Sequence, residues 1–121
     1  MRPMLLNIKI YGIYQMKYRR LNTTKNGDSF SQETIKKVFD KGSPIKGVDP
    51  LKWREDICGD TIKFQAYGDR DSRFGWEMDH INPVSNGGND ELENLQPLQW
   101  KNNLEKGDQL NWKCNQTIIE Y

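Results

Sequence analysis

The chain predicts a small α+β domain, and three observations carry that expectation. Its 121 residues suit one domain with a modest core. Two short runs, 75–81 and 95–100, read as strands, and the segments 31–41 and 101–109 carry helical spacing. Two strands followed by a helix at the C-terminal end make a ββα unit.

Along the chain, residues 1–29 form a basic N-terminal segment, with six Lys or Arg against one acid, and residues 30–121 hold the domain proper, with twelve against sixteen. The basic front reads equally as a frayed, solvated terminus and as a DNA-contacting arm. IKIYGIYQ at 8–15 could pair as a strand, and Met16 could be an internal start. The helix at about 31–41 has Ser31 as its cap, Phe30 and Ile35 as a hydrophobic staple, and Ile35, Val38 and Phe39 on one face. Asp49 and Pro50 read as cap and first position of a second, shorter helix carrying Trp53 and Arg54. TIKF is a short strand and YGDRDSRFG a polar loop.

In GWEMDHI, strand alternation puts Trp76, Met78 and His80 on one face and Glu77 and Asp79 on the other. For Asp79 and His80 to serve one site, the strand has to end, twist or bulge there. NPVSNGGNDELEN is a long loop, LQPLQW the second strand, and KNNLEKGDQ the helix on which Asn103 and Lys106 share a face.

Hydrophobic residues make up 35% of the chain, so its four Trp, four Phe and five Tyr are expected to supply much of the buried area. Trp53, Trp76, Trp100 and Trp112 are core candidates. Cys58 and Cys114 are far apart and outside any CxxC pair, which makes structural zinc unlikely, suggests no disulfide, and suits a reducing cytoplasm. Cys58 reads as a small buried hydrophobe. No run of about 18 apolar residues spans a membrane, and PMLLNIKIYGIY, broken by Asn7 and Lys9, fits a signal peptide poorly.

The chemistry concentrates in residues 75–108. Hydrolysis of a phosphodiester needs a nucleophilic water, a cation against the charge growing on phosphate, and help for the departing oxygen. His80 is the only histidine and is the candidate general base, with Nε2 towards the water and the other ring nitrogen held by a carbonyl or side-chain oxygen. Asp79 and Asn103 can offer a carboxylate and a carboxamide oxygen to one hard divalent cation, Mg²⁺ or Mn²⁺. Asp90, Glu91 and Glu93 read as solvated or capping acids. Arg54, Arg70, Arg73 and Lys101 are possible phosphate contacts, each of which reads first as surface charge.

By its Asp-His pair, its glycine-containing loop, the central Asn94 and the Asn-x-x-Lys-Gly at 103–107, the stretch resembles the HNH nuclease family. The resemblance spans about residues 30–108 and is most specific at 75–108. It implies a ββα-metal fold and a metal-dependent endonuclease acting on DNA, with RNA left open, and products with 5′-phosphate and 3′-hydroxyl ends. In family terms the acid and base are Asp79 and His80, Asn94 pins the loop and orients the histidine, Asn103 replaces a final histidine, and Lys106 meets a phosphate. The zinc-binding cysteine pairs of many HNH proteins would fall near Gln99 and Asn102, where this chain has no thiol. Aromatic packing and the preceding segments WREDICG and YGDRDSRFGWE must then hold the unit. A homodimer would supply two sites for a double-strand break. The other readings kept open are a non-catalytic nucleic-acid-binding module and a nuclease toxin or mobile-element component.

Overall fold

A computed structural model describes residues 20–114. The first helix, α1 (Gln32–Phe39), starts where the sequence places it: Ser31 stands in an extended conformation and its side chain accepts from the backbone N–H of Thr34. That capping bond satisfies one of the orphan donors at a helix start. Ile35, Val38 and Phe39 are the buried face.

Strands β1 (Ser43–Pro44), β2 (Trp53–Glu55) and β3 (Thr61–Lys63) form an antiparallel sheet in that order. Here the structure corrects the expected second helix. Asp49 does act as a cap, its carboxylate accepting from the Leu51 N–H and its carbonyl from Lys52 and Trp53, but the turn stops there. Trp53 and Arg54 then continue as a strand, paired with Lys63 and Ile62. The guanidinium of Arg54 reaches back to the carbonyls of Asp40 and Gly42, tying that strand to the end of α1. Pairing across β2 and β3 outweighs a weak helical signal whose other ends are all local.

The second sheet pairs β4 (Trp76–His80) antiparallel with β5 (Leu95–Gln99), in a register that sets Trp76 against Gln99 and His80 against Leu95. Pro97, opposite Met78, is tolerated because a two-stranded sheet leaves each strand an edge. The helix α2 (Trp100–Lys106) follows without a linker, its N-terminus capped by the Gln99 side chain. The ββα unit is therefore present, in a mixed α+β fold of two helices and two antiparallel sheets among the described residues.

The core lies between α1 and the β4–β5 pair: Phe30, Ile35, Val38, Phe39, Ile62, Trp76, Met78 and Leu95, with Phe64 and Tyr67 packed against it. Phe39 is fully enclosed, with the Phe64 and Trp76 rings 5.3 and 5.4 Å away. Of the four tryptophans expected inside, only Trp76 is fully buried; Trp53, Trp100 and Trp112 are half-buried. Trp100 instead carries the side chains of Arg70 and Lys101 against its ring.

The cysteines are also reassigned. Cys58 and Cys114 are joined in a disulfide, and Cys58 is half-buried rather than enclosed. The bond spans 56 residues, a contact that spacing alone does not reveal, and it withdraws the cysteines as an argument for a reducing compartment. The strand expected at 8–15 lies outside the described residues. Residues 20–29, placed with the N-terminal segment, are instead part of the fold: the Asn22 side chain accepts from the backbone N–H of Met78 in the middle of β4. None of the helices among the described residues is long and apolar enough to cross a membrane.

Truncating the enclosed ring in Phe39→Ala is expected to cost about 3–5 kcal/mol. It should appear as a lower urea midpoint with the slope unchanged.

Candidate active site

All five residues of β4 are buried, so the polar face expected of Glu77 and Asp79 does not open to solvent. It is covered by α2. A carboxylate enclosed this way must find partners, since an unpaired buried charge is very costly. Glu77, 1% exposed, receives both Nε and Nη2 of Arg70 at 2.7 and 2.9 Å and the Asn103 side-chain amide at 2.9 Å. Asp79, 5% exposed, receives Gln96 Nε2 on Oδ2 at 2.9 Å and the Lys106 ammonium on Oδ1 at 3.1 Å.

Lys106 thus departs from the expectation of a surface phosphate contact. It is 3% exposed and points inward, also donating to the His80 carbonyl at 3.1 Å. The physical reason is the burial of Asp79, which demands a counter-charge, and Lys106 supplies it from α2. Lys101 and Arg73 do stay exposed, each lying over a neighbouring ring, Trp100 and Phe74 respectively.

The 81–94 loop is closed by Asn94. Its Oδ1 accepts from the Asn82 N–H at 2.8 Å, while its Nδ2 donates to the carbonyls of Asn82 and Asn89 at 3.1 and 2.8 Å. Ile81 N–H adds a bond to the Asn94 carbonyl. The loop turns so tightly here that a Cβ on Gly88 would stand 1.8 Å from the Asn82 carbonyl oxygen.

His80 ends β4 at the mouth of this loop. It is 7% exposed, packs 6.1 Å from the Phe30 ring, and its Nε2 lies 2.8 Å from Asp90 Oδ1. The expected orientation, with Nε2 towards water, is therefore reversed, because Nε2 is the nitrogen that Asp90 occupies. Asp90 itself, read from sequence as a solvated or capping acid, also accepts from the Lys25 backbone N–H on both oxygens, at 3.1 and 3.2 Å.

Asp79, His80 and Asn103 all line one cavity of about 260 Å³, together with Arg20, Arg70 and Asn22. Because β4 stops at His80, consecutive side chains reach the same space. With Asn103 Nδ2 engaged by Glu77, the carboxamide oxygen is the end left for a cation. A carboxylate offers about four lone-pair sites, of which Gln96 and Lys106 use two on Asp79. This oxygen set fits a hard cation that keeps several waters, and the cavity exceeds the roughly 30 Å³ of one water several-fold.

Around Gln99 and Asn102 a carboxylate does the holding. Asp56, 3% exposed, accepts from the Cys58 and Asp60 N–H on Oδ1, and from the Gln99 N–H and Asn102 Nδ2 on Oδ2, each at 2.9 Å. It thereby joins the WREDICG segment to the junction of β5 and α2.

Sequence reading missed Glu77, Asp90 and Arg20. Glu77 was within reach, as it lies two residues before Asp79 and so on the same strand face. Nothing local distinguishes Asp90 from its acidic neighbours.

The small mixed α+β fold, with a ββα unit that sets an acid, a histidine and an asparagine around one cavity, is consistent with an HNH nuclease domain. Residues 56–109 match the model of the HNH endonuclease family, whose general property is a nuclease-type activity. The match leaves α1 and the segment before it outside, although both pack on the domain. No curated protein and no solved structure matches the chain.

Two substitutions probe this construction. Gly88→Ala forces the loop open against a backbone carbonyl, and faster amide exchange at Ile81 and Asn82 is the expected result. Lys106→Met strips Asp79 of its counter-charge, at a cost of about 3–5 kcal/mol near neutral pH. Burial already holds the Asp79 carboxyl above the ordinary carboxylate value, with Gln96, Lys106 and His80 pulling it down. An acid with a raised folded pKa is protonated more readily folded than unfolded, so its penalty is full above that pKa and fades as pH falls through it. Urea midpoints should therefore show the gap between Lys106→Met and wild type narrowing on the acid side.

Proposed function

We propose that this protein is a metal-dependent HNH endonuclease that hydrolyses DNA phosphodiester bonds. The observation that carries the reading is the convergence of Asp79, His80 and Asn103 on one cavity inside a segment of HNH sequence. Asp79 and Asn103 would hold one divalent cation, Mg²⁺ or Mn²⁺, through a carboxylate and a carboxamide oxygen. When bound, such an ion offsets the charge that builds on the phosphate and steadies the departing oxygen.

The chain's own residues supply the rest. His80 accepts the proton of the attacking water at Nδ1, the ring nitrogen that Asp90 does not occupy. Glu77 keeps the Asn103 amide turned so that its oxygen faces the cavity, and Arg70, clamped on the same carboxylate, stands at the wall where a phosphate would lie. Arg20 lines the same wall. Lys106 serves Asp79, while Lys101 and Arg73 remain on the surface to meet phosphates further along a duplex. Asn94 is a supporting residue that fixes the loop from which His80 and Asp90 face each other.

Plasmid nicking in Mg²⁺ or Mn²⁺ tests the reading. His80→Ala is expected to lose about 10²–10⁴-fold in rate. Equal cutting by both proteins would remove His80 as the base, and no cutting by the wild type would leave a nucleic-acid-binding module. One protein carboxylate and one amide give a weak cation site until substrate phosphate completes it. Calorimetry should accordingly show weak Mg²⁺ binding to the free protein and tighter binding with DNA present, with the gain reduced in Asn103→Ala.

A further inference from the structure

We infer that Asp90 is a positioning residue for His80, fixing the imidazole in the tautomer that leaves Nδ1 as the proton acceptor. The inference rests on the reading of His80 as the base and adds what sets its chemistry.

The starting observation is a 2.8 Å contact between Asp90 Oδ1 and His80 Nε2, with the ring 7% exposed and Asp90 partly covered. An ionised carboxylate can only accept hydrogen bonds. The ring nitrogen facing it must therefore carry a proton, and a neutral imidazole has only one N–H to give. The lone pair is left on Nδ1. A base whose lone pair points the wrong way cannot take a proton from water, so the identity of the atom facing Nε2 decides whether His80 can act.

Asp90 is itself held in place. Both of its oxygens accept from the Lys25 backbone N–H, and the Asn94 side chain binds the Asn89 carbonyl just before it. The ring's ion-pair partner is Asp90 and neither Glu91 nor Glu93, so position, and not acidity, singles it out. Asp79 is the adjacent carboxylate, but its hydrogen-bonding partners are Lys106 and Gln96 and not the ring. The ring is thus oriented from the loop side by one acid and faces the cavity lined by the other.

With one histidine in the chain, ring signals in a ¹⁵N-labelled sample are unambiguous. Long-range ¹H–¹⁵N spectra of the wild type, taken about two pH units above the ordinary histidine value of about 6.5, are expected to show the proton on Nε2 and none on Nδ1. In Asp90→Asn the amide can donate as well as accept, so the single tautomer is no longer forced. Plasmid nicking by that variant is expected to fall about 10–100-fold in kcat, with KM changed by less than about twofold because the loss is confined to the reacting step. A wild-type ring protonated on Nδ1 would overturn the inference even if Asp90→Asn does not fold. So would full kcat in a folded Asp90→Asn. Cutting with the proton on Nδ1 removes the role of Asp90 alone, whereas a wild type that cuts nothing removes the nuclease reading and any catalytic purpose for Asp90 with it.

Discussion

Two enclosed carboxylates on one strand dictate how the rest of this domain is built. Glu77 and Asp79 leave water when α2 closes over β4, and each then requires a full set of donors. Arg70 and Asn103 answer the first, Lys106 and Gln96 the second. Asn103 and Lys106 are three apart on α2, which spaces them along one face as Glu77 and Asp79 are spaced along the strand. The helix therefore has one docking register in which both charges are met. That register also sets Asn103 on the wall of the cavity that Asp79 lines, so the pairing that makes the fold tolerable places the two side chains at one opening.

Around this pairing the scaffold is held by devices other than metal thiolates. The Asp56 carboxylate gathers four donors from the turn after β2 and from the start of α2, and each is a charge-assisted bond in a buried place. Next to it the Cys58–Cys114 disulfide fastens the chain that follows α2. The aromatic stack of Phe39, Phe64, Trp76 and Tyr67 fills the other side of β4. Lys41, at the end of α1, spends its ammonium on the carbonyls of Leu92 and Leu95, joining the first helix to the start of β5. Burial lowers its pKa.

The parts of this architecture that sequence reveals are those written in local patterns. The capped amphipathic α1, the two strands and α2 follow from period and end signals, and the Asp-His, Asn94 and Asn103 spacing pointed to the ββα unit. What escaped was carried by distant contacts. The Asp49 turn resembles a helix start until Trp53 and Arg54 pair with β3. Asp90 looks like any loop acid until His80, ten residues earlier, and Lys25, sixty-five residues earlier, arrive on the same carboxylate. Lys106 reads as a surface cation unless the burial of Asp79 is known. The disulfide joins residues fifty-six apart that no motif connects. Three tryptophans were placed inside on size alone, whereas a flat ring can serve equally as a half-open platform for Arg70 or Lys63.

The shared carboxylate of Asp90 has a mechanical side. Thr24 and Gly27 close the turn at 24–28, and the Lys25 amide projects from it onto both Asp90 oxygens, one of which, Oδ1, faces the imidazole. Arg20 to Thr23, just before that turn, form a wall of the cavity. The wall at residues 20–23 and the carboxylate beside the imidazole are therefore joined through one short turn of chain. A change in that turn would be felt on both sides, at the cavity wall and at the Asp90 carboxylate.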